Sequence, residues 1–485
     1  MGTKVNSNYE DLITFTRASR GHALRPVSYG PELANNGTFN GNADGWTGGD
    51  YDDETGDLSL VSAGSVNAYQ TGFDSTKLYL LTYTVSEYTS GNISAYDGGV
   101  FGPFTNAVGT YTIVISPDVQ RLGVRAQNGP VDAKISSISI KEFTFDQPDG
   151  TLTLFEHPEN VPRVEYDADG NRLGLLVEEA RTNNITNSES CSFVDESGGT
   201  VTASTTPAPY GMSSTVKRVQ SSTLNGGGKL QVTILTGGDN YCSVYVRSRT
   251  GADQNLKITA SGTSGATQVA PASGDWVRLG RVASLGAGSR DMRVLSTGDT
   301  IDLDIALPQV EFGSFPTSYM KTTNGAEDRA ADVASIPVAD FGYNQSAGTV
   351  VVEADSKGSD GTEYPRVVDI NNESGNERVA VWLAPPSSTP TLSVSDGGST
   401  QASITSGTFS ADTLQKYAAG FSVNDFAFSF NGQSVSTDTS GTMPTVTKVF
   451  MGTNHNNASH LNGHIKSIKY YPRRLTNAQL QDLTS

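Results

Sequence analysis

Five histidines, 51 acidic residues and three tryptophans are the side chains from which this 485-residue sequence could build chemistry. His455, His460 and His464 lie close together in His-Asn-Asn-Ala-Ser-His-Leu-Asn-Gly-His, while His22 and His157 stand apart. A zinc site needs three or four well-placed ligands. The histidine-rich segment reads as loop running into strand, where such spacing does not converge on one point, so no metal site is expected. His464 follows an Asn-Gly turn and is expected to face solvent or cap a sheet edge. A glycosidase needs two carboxylates facing each other across a sugar. Pairs such as Asp302 and Asp304 arise by chance among so many acids. No Gly-x-Ser-x-Gly elbow, phosphate loop or Cys-x-x-Cys motif is present. We therefore expect no enzyme and no cofactor.

One stretch could contact a sugar. Trp46 precedes the acidic loop Gly48-Gly-Asp-Tyr-Asp-Asp-Glu54. Sugar sites pair an aromatic face with polar groups, as small-ligand sites do generally. Trp46, Tyr51, Asp52 and Asp53 are thus the candidate ligand-binding residues. The plainer reading is a solvated charged loop beside a core tryptophan. Trp276 and Trp382 lie in or near other expected strands and read as core aromatics.

The net charge of −18 argues against a nucleic-acid or anionic-membrane partner, which would need clustered Lys and Arg. The two cysteines, Cys191 and Cys242, fall within one expected module, and two in a chain this long make no disulfide framework. The start, Met-Gly-Thr-Lys-Val-Asn-Ser-Asn-Tyr-Glu, has no apolar export core. No apolar run approaches the roughly 18 residues that would span a bilayer, so no membrane insertion is expected.

The elements that must position these residues are strands. High Gly, Ser and Thr favours many short strands joined by tight turns. Lys77–Val85, Thr110–Ile115 and Lys134–Glu142 read as strands of a first module, residues 32–142, with isoleucines at 135, 138 and 140. Tyr241–Arg247, Asp275–Val282 and Ile301–Leu307 belong to a second, 184–313. Gly348–Ala354, Glu377–Leu383, Phe426–Gly432 and Gly463–Tyr471 belong to a third, 346–485. Between them lie an N-terminal arm (1–31), a linker with a central hairpin (143–183) and a connector (314–345). In the hairpin, Val164 and Tyr166 alternate with charged residues. Asp169-Gly170 signals a primed turn, and Leu173–Val177 suits burial on both faces. Thr476-Asn-Ala-Gln479 fits a capping box, with Leu480 and Leu483 packing back from the only expected helix.

Several of these pieces resemble a frame found in bacteriophage virion proteins. They are Phe15-Thr-Arg-Ala-Ser19, Arg163-Val-Glu-Tyr166 with Gly174-Leu-Leu-Val-Glu-Glu-Ala-Arg-Thr-Asn183, Gln309-Val-Glu-Phe-Gly-Ser-Phe-Pro-Thr-Ser-Tyr319, Arg329-Ala-Ala-Asp332 and Leu461–Leu475. The opening Glu32–Phe39 with Gly45-Trp-Thr47 resembles that of carbohydrate-binding jelly rolls, and the third module resembles a laminin-G or concanavalin-A-like sandwich. In such jelly rolls the closing strand often carries an aspartate for structural calcium; Ser136 and Ser137 stand there instead, which weakens that expectation.

The resemblance implies an all-β fold of tandem jelly-roll or β-sandwich modules. It also implies a tail or head fibre, spike or minor structural protein, made in the host cytoplasm and assembled into the virion. Its expected partners are other virion proteins, copies of itself (a trimer by family likeness) and host-surface polysaccharide. Two alternatives remain open: a non-binding adaptor or decoration protein, and a glycan depolymerase.

Overall fold

The computed structural model describes residues 13–99, 101–115, 117, 119–358 and 363–485, without the side chains of 101–103. The polar start of the expected N-terminal arm, residues 1–12, lies outside the described residues. The architecture is all-β, in antiparallel sheets, with one α-helix among the described residues, Asn477–Thr484. The chain divides into two compact units. One comprises residues 25–152; the other comprises the chain on both sides of it.

In the 25–152 unit, two long strands carry the fold. Tyr79–Tyr96 pairs along its length with Arg121–Phe145. Asp57–Ser62 and Val66–Thr71 add to Arg121–Phe145, and Gly109–Ile115 adds to Tyr79–Tyr96. Alternate residues point inward, so Tyr79, Leu81, Tyr83 and Val85 meet Leu58, Leu60, Ile113 and Ile115 in one core. Strict alternation would put Ile135 and Ile138 on opposite faces, yet both are buried. A bulge explains this: Thr84 pairs with Ser137 and Val85 with Ile135, so Ser136 is the extra residue.

The second unit holds two sandwiches. In the first, Val216–Ser221, Ile301–Phe312, Gly238–Ser248 and Val277–Leu285 form part of one sheet. Gly227–Ile234, Gly288–Ser296 and Gln254–Ala260 form the centre of the facing one. Val219, Val244, Leu303 and Ile305 pack there with Leu230, Val232, Ile258 and Val294. Cys191 and Cys242 are free thiols in this core, and burial pushes both up to about 12.

The C-terminal sandwich recruits strands from far upstream. Val164–Tyr166 pairs with Arg172–Val177, which pairs with Gly463–Tyr471. Thr14–Thr16 pairs with Val333–Pro337. Arg181–Asn183 is shared differently, joining Ile301–Phe312 and Glu327–Arg329. The stretches read as linker and connector thus supply strands to both sandwiches. Those strands are three to six residues long, too short for their own periodicity to show which sheet they join.

Two local signals are realised in detail. Thr476 caps the helix: its side chain accepts from the Gln479 N–H, and the Gln479 side chain accepts from the Thr476 N–H. Leu480 is buried against Val351, Ala418 and Ala427. The central hairpin forms, but not through a primed two-residue turn. Its connection runs over residues 167–171. Asp167 Oδ1 accepts from the N–H groups of Asp169 and Asn171, and of the turn residues only Gly170 (φ 80°) is left-handed.

Candidate functional site

The four residues expected to bind sugar lie in the 25–152 unit. Trp46 is half-buried; its ring packs near Phe39 at 5.9 Å and its Nε1–H donates to the Asn36 carbonyl at 3.1 Å. Tyr51 packs against the same core. It sits on the short strand Asp50–Asp52, paired with Asp57–Ser62. Asp52 is 3.0 Å from the Lys134 ammonium, and its Oδ1 accepts from the Glu54 and Thr55 N–H groups. Lys134, with those amides, holds the carboxyl below its usual range. Of the four, only Asp53 is fully at the surface. The acidic run is thus mainly a hairpin turn tied back by a lysine.

The frame pieces converge elsewhere. Arg17, Arg163, Glu178, Arg329 and Asp332 come together in the second unit, each at most 5% exposed. Arg163 Nη2 binds Glu178 at 2.9 Å and also bonds Asp332; its Nη1 donates to Ser318 Oγ at 2.6 Å and to the His22 carbonyl at 2.9 Å. Arg17 reaches Asp332 at 3.2 Å and the Pro158 carbonyl at 2.7 Å. Glu178 also accepts from Ser318 N–H and Oγ, both at 2.7 Å. Burial opposes the Glu178 charge, but Arg329 and Arg163 outweigh it and hold the carboxyl well below the usual range. Buried charges persist only when paired and hydrogen-bonded. This hub fastens segments up to 315 residues apart. The charged motif residues Arg17, Arg163, Glu178, Arg329 and Asp332 therefore lie in the interior of the scaffold.

His464 is not a surface residue. Its Nε2 is 2.8 Å from Glu165 and its Nδ1 is 3.0 Å from both oxygens of Asp355. Burial lowers its basicity, but the two carboxylates win and raise its pKa to about 10. It is an imidazolium clamp between the central hairpin and the C-terminal sandwich. His460 lies elsewhere, buried, with the opposite shift: burial pushes its pKa down, leaving it neutral. Among the described residues, no three His, Cys, Asp or Glu side chains are grouped to hold a metal.

Asp302 and Asp304 project from one strand, and each meets an arginine. Asp302 is gripped by Arg218 through two bonds of 2.7 and 2.6 Å, and Asp304 binds Arg249 at 2.8 Å. Both carboxylates are thereby committed as ion-pair acceptors.

One open feature of the second unit is a cleft of about 520 Å³. One wall is Glu179–Thr182, the chain leaving the hub. A second is Phe312–Phe315, the end of the strand Ile301–Phe312 and the turn after it. The third is the Asn457–His460 loop, with Glu363 and Pro365 also in the lining. Phe312 is 45% exposed, a large aromatic at the surface. Arg181 is buried, stacked 4.8 Å from the Phe315 ring and ion-paired to Glu179 at 2.6 Å. Glu179 also accepts from Asn462 at 3.0 Å, and Ser459 Oγ donates to Glu363 at 2.9 Å. His460 is 7% exposed, and its Nε2 has no hydrogen-bond partner. An aromatic surface beside amides, a hydroxyl and carboxylates is the lining of a polar small-ligand site. The sequence placed Glu179, Arg181, Phe312, Phe315 and Asn462 in frame pieces and His460 in a loop, but assigned none of them a ligand. Its one usable signal was Phe312, an apolar residue ending a strand just before Gly313-Ser314.

No family model matches the chain, and no curated protein does. Solved structures that match include the N-terminal CBM22-1–CBM22-2 tandem domain of Paenibacillus barcinonensis Xyn10C. It is 11% identical, covering 61% of this chain and 99% of that one at a TM-score of 0.22. Trypanosoma rangeli sialidase is 10% identical, covering 96% and 93% at a TM-score of 0.25. Superpositions this loose carry no argument about fold or activity.

Proposed function

We propose that this chain is a structural appendage protein of a bacteriophage particle that adheres to host-surface glycan without cleaving it. The cleft walled by Glu179–Thr182, Phe312–Phe315 and Asn457–His460 carries the adhesion reading, since it pairs an exposed ring with several polar groups. The virion assignment rests on the resemblance of the frame pieces. The buried hub explains why those scattered segments share charged residues: they make one scaffold. Non-catalytic binding is favoured by the carboxylates of the cleft, since Glu179 is engaged by Arg181 and Asn462, and Glu363 by Ser459. Single contacts of this kind are weak. Several copies on one particle gain strength through effective concentration, so a homo-oligomer, a trimer by family likeness, fits the task. Other virion proteins would anchor it.

The test is binding of the purified full chain to host cells and to their extracted surface polysaccharide. Saturable binding that the polysaccharide competes, with no reducing ends released, is expected. A folded protein that binds neither would leave the adaptor reading in its place. Release of reducing ends would make it a depolymerase. Mass spectrometry of purified particles tests the virion location separately.

A further inference from the structure

In the 25–152 unit, one sheet face carries a cation that the fold leaves unused. The long strands Tyr79–Tyr96 and Arg121–Phe145 run side by side there, flanked by Val66–Thr71 and Phe101–Thr105. Ala68, Ile93, Ala95, Val124 and Ala126 point into the core, so the residues between them point to the opposite face. Pairing sets Asn67, Arg125 and Ser94 in one row across three strands, and Tyr69, Gly123 and Tyr96 in the next. Gly123 has no side chain, and the two tyrosine rings meet across it at 5.3 Å. On the fourth strand, Thr105 pairs with Ile93 and its hydroxyl lies 3.3 Å from that of buried Tyr83. Phe104, one residue before, therefore faces outward, where it is 46% exposed.

Arg125 is the unusual member of its row. It is part-exposed, and although its Nε is buried without a partner, its Nη groups are open to solvent. Among the described residues they meet no carboxylate or other acceptor. The strand stretches 66–71, 92–96, 101–105 and 121–127 hold Arg121 and Arg125 and no Asp or Glu, in a chain with 51 acidic residues against 33 basic. Asp97 follows Tyr96 but is 5% exposed, and its Oδ1 accepts from the Gly99 N–H at 3.1 Å. Arg121 lies over the Tyr69 ring at 5.1 Å and adds a second positive charge beside the row. The net charge of −18 opposes an anion at long range. Screening over about 8 Å at physiological salt leaves the local guanidinium to decide at contact.

We propose that this face binds a uronic acid residue of an acidic glycan, with the Arg125 Nη groups donating to its carboxylate and the Phe104 ring against its C–H face. A guanidinium fork matches a carboxylate in two parallel bonds. Phe104 stands two strands from Arg125, about 9–10 Å at the usual strand spacing, which is the room one pyranose and its carboxylate need. A bare carboxylate would use only the cation; the exposed ring beside it favours a ligand that carries its acid on a sugar. The site is made of other residues than the cleft and adds a ligand class to it.

The full chain would be titrated by calorimetry at pH 7 with trigalacturonate and with its fully methyl-esterified form, which keeps the rings and loses the charges. The free acid is expected to bind at least about tenfold more tightly, the order of one charge-assisted contact. Arg125→Met should remove that preference without lowering the unfolding midpoint, since the Arg125 side chain makes no hydrogen bond or ion pair in the fold. Phe104→Ala, at an exposed position, should weaken both forms severalfold. Phe312→Ala should leave both unchanged. Equal binding of acid and ester, or acid binding that survives Arg125→Met, overturns the proposal. Acid binding lost in Phe312→Ala also overturns it, and would put the ligand in the cleft with the glycan reading standing. Absence of binding by the acid overturns it as well; if Arg125→Met then abolishes association with another virion protein, the face belongs to a protein carboxylate.

Discussion

Glu178 and Glu179 are neighbours in the chain and end in opposite settings. The Glu178 carboxylate is 7% exposed, enclosed by Arg163, Arg329 and Ser318. The Glu179 carboxylate is 37% exposed, at the wall of the cleft, where Arg181 and Asn462 hold it. One residue step in an extended chain turns a side chain to the other face, so a single strand-like stretch faces a dry ionic interior and a wet cleft at once. The comparison teaches where specificity can lie. The hub is closed: its five charged side chains are at most 5% exposed, although Arg163 Nε and Arg329 Nε lack partners. The cleft is open, with an exposed ring, Phe312, at its wall.

The largest effects are expected in the hub. Arg163→Met would leave Glu178 and Asp332 short of their counter-charge, and Glu178→Gln would leave three guanidiniums facing one carboxylate. Each should cost about 3–5 kcal/mol, the range for breaking a buried pair, measured by urea unfolding of the full chain. A loss below about 1 kcal/mol for both would show that the hub does not hold the scaffold.

The His464 clamp comes next. The unfolded histidine titrates at its ordinary value of 6.5 and the folded one at about 10. Its contribution is therefore full below pH 6.5 and is lost as pH rises toward 10. His464→Gln should lower stability by about 1.5–3 kcal/mol at pH 7, the scale of charge-assisted bonds. It should also flatten the decline of the wild type between pH 6.5 and 10. An unchanged pH profile would remove the imidazolium from the account.

In the cleft the expected effects move from stability to binding. Phe312→Ala should change stability by less than about 1 kcal/mol, as for exposed positions generally, while host-cell binding falls by an order of magnitude. A folded variant that binds cells like the wild type would close the cleft as a candidate. The smallest effect is Glu179→Gln, which breaks a partly exposed pair worth about 0–1 kcal/mol. If it destabilised as much as Glu178→Gln, the contrast between the two neighbours would be wrong, and the cleft wall would be an extension of the hub.

The all-β architecture was legible because its signals are local. Tyr241–Arg247 alternates and lies within the strand Gly238–Ser248. Thr476 and Gln479 cap a helix by contacts three residues apart. The spacing of Ile135 and Ile138 marks where such reading stops, since a bulge changes the facing of everything beyond it and leaves no residue type as its signature. The hairpin shows the same limit. Asp169-Gly170 announced a turn, but the Asp167 side chain, bonding two backbone amides, set its length.

The sites were less legible than the strands. Trp46 and the acidic loop looked like a sugar contact because aromatics and acids were adjacent in sequence. In space, Trp46 bonds the Asn36 carbonyl and Asp52 bonds Lys134. His464 was expected to face solvent or cap a sheet edge after an Asn-Gly turn, yet its partner Glu165 is 299 residues away. Phe312 looked like the end of a closing strand. It is 45% exposed at a cleft shared with the loop Asn457–His460, which comes from another sandwich.

By itself the sequence determined the repeated strand–turn grammar, the single capped helix and a set of scattered pieces that belong together as a frame. Alternation and capping act over two to four residues, so those properties need no knowledge of the rest of the chain. Tertiary structure alone decided which charges are buried and which side chains face one another. Arg17, Arg163, Arg329, Glu178 and Asp332 stand in the frame pieces, but their burial appears only once strands from distant segments enclose them. Desolvation then turns them from surface charge into the ionic interior that shapes the cleft beside it.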